Sequence, residues 1–231
     1  MIIPPRILTD ALPPKERDAA QAIKSNLYAL SSAIGYVSSA LELCTFCNDS
    51  RPPPALPGTR MNIPEISKLT DWKAMALRSA IITIYDCFEI SHKTLPGLCR
   101  SCPTINARVN PGAERDSTEL FKQFFPGMEG LRNHAAHPSR VTSHPDKLAG
   151  HRTKIGATIA GVGTIRGPAM ISGMMAEGNT WSCTVDHEQL TFTLTRETVE
   201  RFRGWVEHRF VGFEGAADYT RQAGVWIDAS A

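Results

Sequence analysis

The chain has 231 residues, 42% of them hydrophobic and 21% charged, with a formal net charge of +2. Those proportions exclude wholesale disorder and supply a core for one domain, with or without an appended subdomain. So mild a charge does not mark a nucleic-acid binder, and any such role needs a local basic patch.

The opening MIIPPRILTD sets prolines where an export signal needs a helical apolar core, so residues 1–14 read as an extended surface arm. From Lys15 a helix begins: Ala19, Ala20, Ile23, Leu27, Leu30, Ile34, Val37 and Leu41 recur at spacings of three and four, as far as about Cys47. Glu16 and Asp18 suit the positive end of its dipole. No apolar run approaches the ~20 residues of a membrane span, so no membrane is expected. The six cysteines read as reduced thiols of a cytoplasmic protein rather than a secreted disulfide scaffold.

NDSRPPPALPG, residues 48–58, breaks the first helix, because its four prolines deny amide donors and helical geometry. Residues 59–69 read as a linker. Thr70 or Asp71 caps a second helix, whose Trp72, Met75, Ala76, Ser79, Ile82, Ile84, Cys87, Phe88 and Ile90 spread apolar surface around it. A helix so broadly apolar is expected at the centre of the core. Pro96-Gly97 ends it, and residues 98–114 read as irregular. Asp116 or Ser117 caps a third helix with Leu120, Phe121, Phe124 and Phe125 inward. Pro126-Gly127 interrupts that helix, Met128 and Leu131 resume it, and Pro138 stops it.

Residues 139–168 have few large apolar groups and several glycines, and read as loop. The spacing Gly161-x-Gly163-x-x-x-Gly167 misses a dinucleotide-binding pattern and has no helix after it. Beyond it the period switches to two. Residues 169–175, 180–185 and 189–194 read as short strands, with turns at 177–179 and 186–188. Thr195 caps a last helix with Val199, Phe202, Trp205, Val206 and Phe210 inward, and the tail 214–231 is expected to fray. Trp72, Trp181 and Trp205 read as core rather than stacking platforms. The expected fold is a mainly α-helical bundle over residues 15–213, with a small antiparallel β meander at about 169–194 and a final helix.

The chemistry concentrates in MEGLRNHAAHP, residues 128–138. Arginine offers a phosphate two parallel hydrogen bonds, and histidine exchanges protons near neutral pH. Four residues apart, Asn133 and His137 share a helix face. Arg132 and His137 lie about 140° apart around an α-helix, so a second subunit or unwinding before Pro138 has to bring them together.

This segment resembles the signature of the HEPN superfamily, helical-bundle domains that share an arginine, an adjacent polar residue and a histidine a few residues on. The stretches ALRSAIITIYDCFEISHKTL (76–95) and LFKQFFPGMEGLRNHAAHP (120–138) also look like helices of its abortive-infection and toxin–antitoxin members. The likeness covers roughly residues 15–140. It implies a metal-independent endoribonuclease without cofactor, acting as a homodimer whose two motifs face each other, and, in such a setting, an antitoxin protein as partner. His137 would serve as general base or acid at the ribose 2′-hydroxyl, Arg132 would hold the scissile phosphate, and Asn133 would orient the phosphate or His137. The products would be a 2′,3′-cyclic phosphate and a 5′-hydroxyl. His134 departs from the family pattern and reads as an auxiliary catalytic group or an exposed spectator. The competing reading is a non-catalytic HEPN-like module that binds nucleotide, RNA or a partner protein.

Downstream, Arg140, Lys147, Arg152, Lys154 and Arg166 face a single acid, Asp146, and a loop of that charge suits an RNA backbone as well as plain solvation. Cys44, Cys47, Cys99 and Cys102 form two Cys-x-x-Cys pairs that raise a structural zinc as a further alternative. Their long separation and the helical setting of the first pair favour buried thiols.

Overall fold

A computed structural model describes residues 2–50, 63–137, 152–153, 157–159, 163–167, 171, 174–176 and 178–228. It is mainly helical, as expected. The helices are α1 (Arg17–Asp49), α2 (Ile63–Glu89), α3 (Leu95–Arg100), α4 (Pro103–Asn106), α5 (Pro111–Phe124), α6 (Met128–Ala136), α7 (Arg196–Val211) and α8 (Glu214–Asp228). The strands are β1 (Ala157–Ile159), β2 (Gly163–Ile165), β3 (Met174–Ala176), β4 (Thr180–Val185) and β5 (Glu188–Thr193). Two compact units divide the chain, Met1–Gly35 with Asp86–Pro126 and Glu200–Ala231, and Tyr36–Tyr85 with Gly127–Val199. Both α1 and α2 contribute a part to each unit.

In the first unit Ala20, Ile23, Leu27 and Leu30 of α1 are fully buried, on the stripe their spacing predicts. The arm is pinned rather than loose. Ile7 and Leu12 are buried, and Leu8 N donates to Thr220 Oγ1 at 3.1 Å. Aromatic packing joins three helices: Phe88 stacks on Phe121 at 4.2 Å, and Phe121 meets the edge of Trp205 at 5.2 Å. Trp205 is fully buried, and its Nε1 donates to Ser117 O at 3.0 Å, so a partner accompanies the burial of its one polar atom.

Three boundaries in this unit differ from expectation. Pro96 does not end the second helix. The chain widens into a π-helical turn, Ile90–Thr94, and runs on as α3 with Pro96 at its second position. Residues 98–114 hold α4 and the start of α5, whose cap is Asn110 rather than Asp116 or Ser117. Asn110 Oδ1 accepts from Gly112 N at 2.9 Å and Ala113 N at 3.4 Å, with Pro111 at the first helical position. The expected fraying tail is α8 as far as Asp228, held by the buried Ala216, Ala217 and Thr220.

In the second unit α2 begins at Ile63, seven residues before the expected cap, with Pro64 in its first turn. Thr70 therefore lies inside the helix, where its hydroxyl donates to Ile66 O at 2.9 Å. The meander has the order β3-β4-β5, all antiparallel; β4 and β5 lie where the alternation places them, while β3 is Met174–Ala176 rather than 169–175. Asp186 and His187, both at positive φ, make the two-residue turn that a right-twisted hairpin favours. One face of the hairpin is polar, with Thr180 and Thr193 hydroxyls 3.1 Å apart and Ser182 and Thr191 hydroxyls 3.2 Å apart. Its other face pairs Trp181 with Phe192 and Cys183 with Leu190. The buried Lys73 reaches Asn48 Oδ1 at 2.9 Å, and Asn48 Nδ2 donates to Asn179 Oδ1 at 2.8 Å, which ties α1, α2 and the turn before β4. Within the expected loop 139–168 the chain forms a second antiparallel pair, β1 with β2. Trp72 is not core: it is 46% exposed.

The segment Pro14–Asp49 is long and apolar enough to cross a membrane by length and composition, contrary to the expectation from runs of large apolar residues. Its low charge comes from serines and alanines among the leucines, and 44% of the apolar window is buried within the protein.

Candidate functional site

The 128–138 segment folds as α6 in the second unit, and two glycines set where it lies. Gly127, at φ +69, turns the chain into the helix, and its carbonyl accepts from Leu131 N at 3.1 Å. A Cβ at Gly130 would come within 2.6 Å of Leu190 Cδ1 and 3.6 Å of Val185 Cγ1, so the helix rests closely on the apolar face of the β4–β5 hairpin. Met128, Leu131, His134 and Ala135 are buried on that side.

The opposite side carries the expected chemistry. Asn133 and His137 are exposed and Arg132 is half-buried. Arg132 Nη1 donates to Asn133 Oδ1 at 3.4 Å, and the guanidinium lies 5.8 Å from the centre of the Tyr85 ring. α6 ends at Ala136, and His137 has left helical geometry with φ −132° and ψ 57°, while its amide still reaches Asn133 O at 3.1 Å. The chain therefore leaves the helix at His137, one residue before Pro138.

His134 turns the other way. It is 2% exposed, with its ring edge-on to Trp181 at 6.4 Å, so neither the auxiliary role nor the exposed spectator describes it. Two residues that motif reading passed over belong to the site. Arg78 Nε donates to Ala135 O at 2.9 Å, closing one of the last carbonyls of α6 and adding a cation at its negative end. Tyr85 lies under Arg132. Both residues sit on α2 seven positions apart, and that same-face spacing was the available signal.

Of the expected RNA contacts, Arg152 is exposed, and its carbonyl lies 2.9 Å from His187 Nδ1. Arg140, Lys147 and Lys154 lie outside the described residues. Cys44 and Cys47 belong to one unit and Cys99 and Cys102 to the other, and no group of three or more His, Cys, Asp or Glu able to hold a metal occurs among the described residues. Cys102 Sγ donates instead to Glu16 Oε2 at 3.2 Å. Burial pushes the Cys44, Cys99 and Cys102 thiols up to about 11.

Compared with models of protein families, with curated proteins and with solved structures, the chain matches none.

Proposed function

We propose that the protein is a HEPN-like, metal-independent endoribonuclease that acts as a homodimer in the cytoplasm. What supports the reading is one helix end, where the half-buried Arg132 donates to the exposed Asn133 and the exposed His137 follows just past the last helical residue. In this reaction one imidazole takes the proton of the ribose 2′-hydroxyl, whose oxygen attacks phosphorus. The 5′-oxygen leaves with a proton from a second donor, the His137 of the other copy, and a 2′,3′-cyclic phosphate remains. Arg132 bears the charge that builds on the phosphate oxygens. Arg78 and the exposed Arg152 add positive charge for the flanking backbone. A toxin–antitoxin or phage-defence setting, with an antitoxin protein as partner, rests on the family resemblance alone.

The test is RNA cleavage in EDTA. Arg132→Ala and His137→Ala should each lose about 100-fold or more. Cleavage that persists in both variants would refute the assignment. A second reading, a module that binds nucleotide, RNA or a partner protein without cutting, is favoured by one observation: among the described residues no hydrogen bond orients the His137 ring. It predicts a wild type that binds RNA and leaves it intact.

A further inference from the structure

Nine large hydrophobic side chains are exposed among the described residues; six lie in the second unit, and five of those are on two helices, Tyr36, Leu43 and Phe46 on α1 and Trp72 and Met75 on α2. They are not marginal cases, with Tyr36 at 68%, Phe46 at 53% and Met75 at 66% exposure. On α1 the exposed positions Tyr36, Ser39, Leu43 and Phe46 step by three, four and three. On α2 the exposed Trp72, Met75 and Ser79, followed by the half-buried Ile82, step the same way. That rhythm is the seam one helix offers another. A face destined for water carries charge, whereas Glu42 is the single charged residue of α1 between Lys24 and Asp49.

We infer that a second copy of this chain docks on this surface. Its charges are complementary to themselves. The α1 side is flanked by exposed Glu42 and Asp49 and by no cation, while the α2 side carries exposed Lys68 beside Asp71. Under a two-fold axis α1 of each copy lies against α2 of the other, and a Glu42–Lys68 pairing forms twice. The aromatic and methionine content is that of a protein interface core. Nucleic acid fits poorly, since its phosphates would approach Glu42, Asp49 and Asp71.

This deepens the two-copy reading above by naming the surface, and its test reads mass rather than cleavage, so the two can fail separately. Light scattering on the full chain at micromolar concentration should give twice the 25.3 kDa chain mass. The double variant Phe46→Glu, Met75→Glu should give the single mass with an unchanged helical circular dichroism signal. Should that variant unfold, Glu42→Lys is the milder probe. It should weaken association about tenfold, and adding Lys68→Glu should restore it. A wild type of single-chain mass overturns the inference. So does a dimer that neither the glutamate nor the charge-reversal variants loosen, because it would be using another surface.

Discussion

A carboxylate kept from water is tolerated only while groups donate to it, and Glu16 has three donors. It is 4% exposed, and it accepts from Thr104 N at 3.0 Å, Cys102 Sγ at 3.2 Å and Thr104 Oγ1 at 3.3 Å. Burial alone would push its pKa up. The Thr104 and Cys102 bonds outweigh that and hold the carboxyl below its usual range. A folded-state pKa below the unfolded value of ~4.3 contributes stability above that pH, and the contribution is lost as pH falls through the lowered value. Glu16→Gln should therefore destabilise by about 1–3 kcal/mol in urea at neutral pH, with the deficit shrinking in acid. An equal deficit at both pH values would show that the charge is irrelevant. Sequence reading assigned Glu16 to the helix dipole. Its role in joining the start of α1 to α4 was invisible, because nothing in one chain says that position 16 will meet position 104.

At the scale of elements, the seat of α6 makes a paired prediction. Gly127 stands at φ +69 with Leu190 Cδ2 2.9 Å from a would-be Cβ, whereas Gly204 inside α7 has nothing within 4 Å. Gly127→Ala should cost about 1–2 kcal/mol for its left-handed backbone, and Gly204→Ala should gain roughly 0.5–1 kcal/mol in helix propensity. Urea unfolding of both variants checks the opposite signs, and two results of the same sign would contradict the packing described. The elements legible in the sequence were those with an unambiguous period: α1, the meander, and α7 with Phe202 and Trp205 inside. Boundaries set by proline misled, since Pro64, Pro96 and Pro111 each sit in a first turn rather than beyond an end. α8 was missed because alanine and threonine carry its buried side and give little hydrophobic contrast. Trp72 was misplaced because a helix apolar on two sides has two candidate inner faces, and spacing alone cannot choose between them.

Across the whole molecule the six cysteines are buried and none is in a disulfide. Burial pushes Cys87 and Cys183 up to about 12, as it pushes Cys44, Cys99 and Cys102 up to about 11. Native protein should accordingly react with a thiol reagent at least roughly a hundredfold more slowly than unfolded protein, and six thiols should titrate once it is denatured. A fast native reaction would refute this burial. The Cys-x-x-Cys spacing was legible but its meaning was not, because spacing alone does not tell a buried thiol from a ligand.

Four of the buried positions along the second helix and its continuation, Cys87, Ser91, Leu95 and Cys99, recur every fourth residue. A regular α-helix would rotate such a series by about 40° at each step, or about 120° by the last, and carry the final sulfur towards water. The widened turn at Ile90–Thr94 unwinds the rod just there and takes back part of the rotation. The local irregularity therefore acts as a phase corrector, and deleting one residue from it would swing everything downstream about the helix axis.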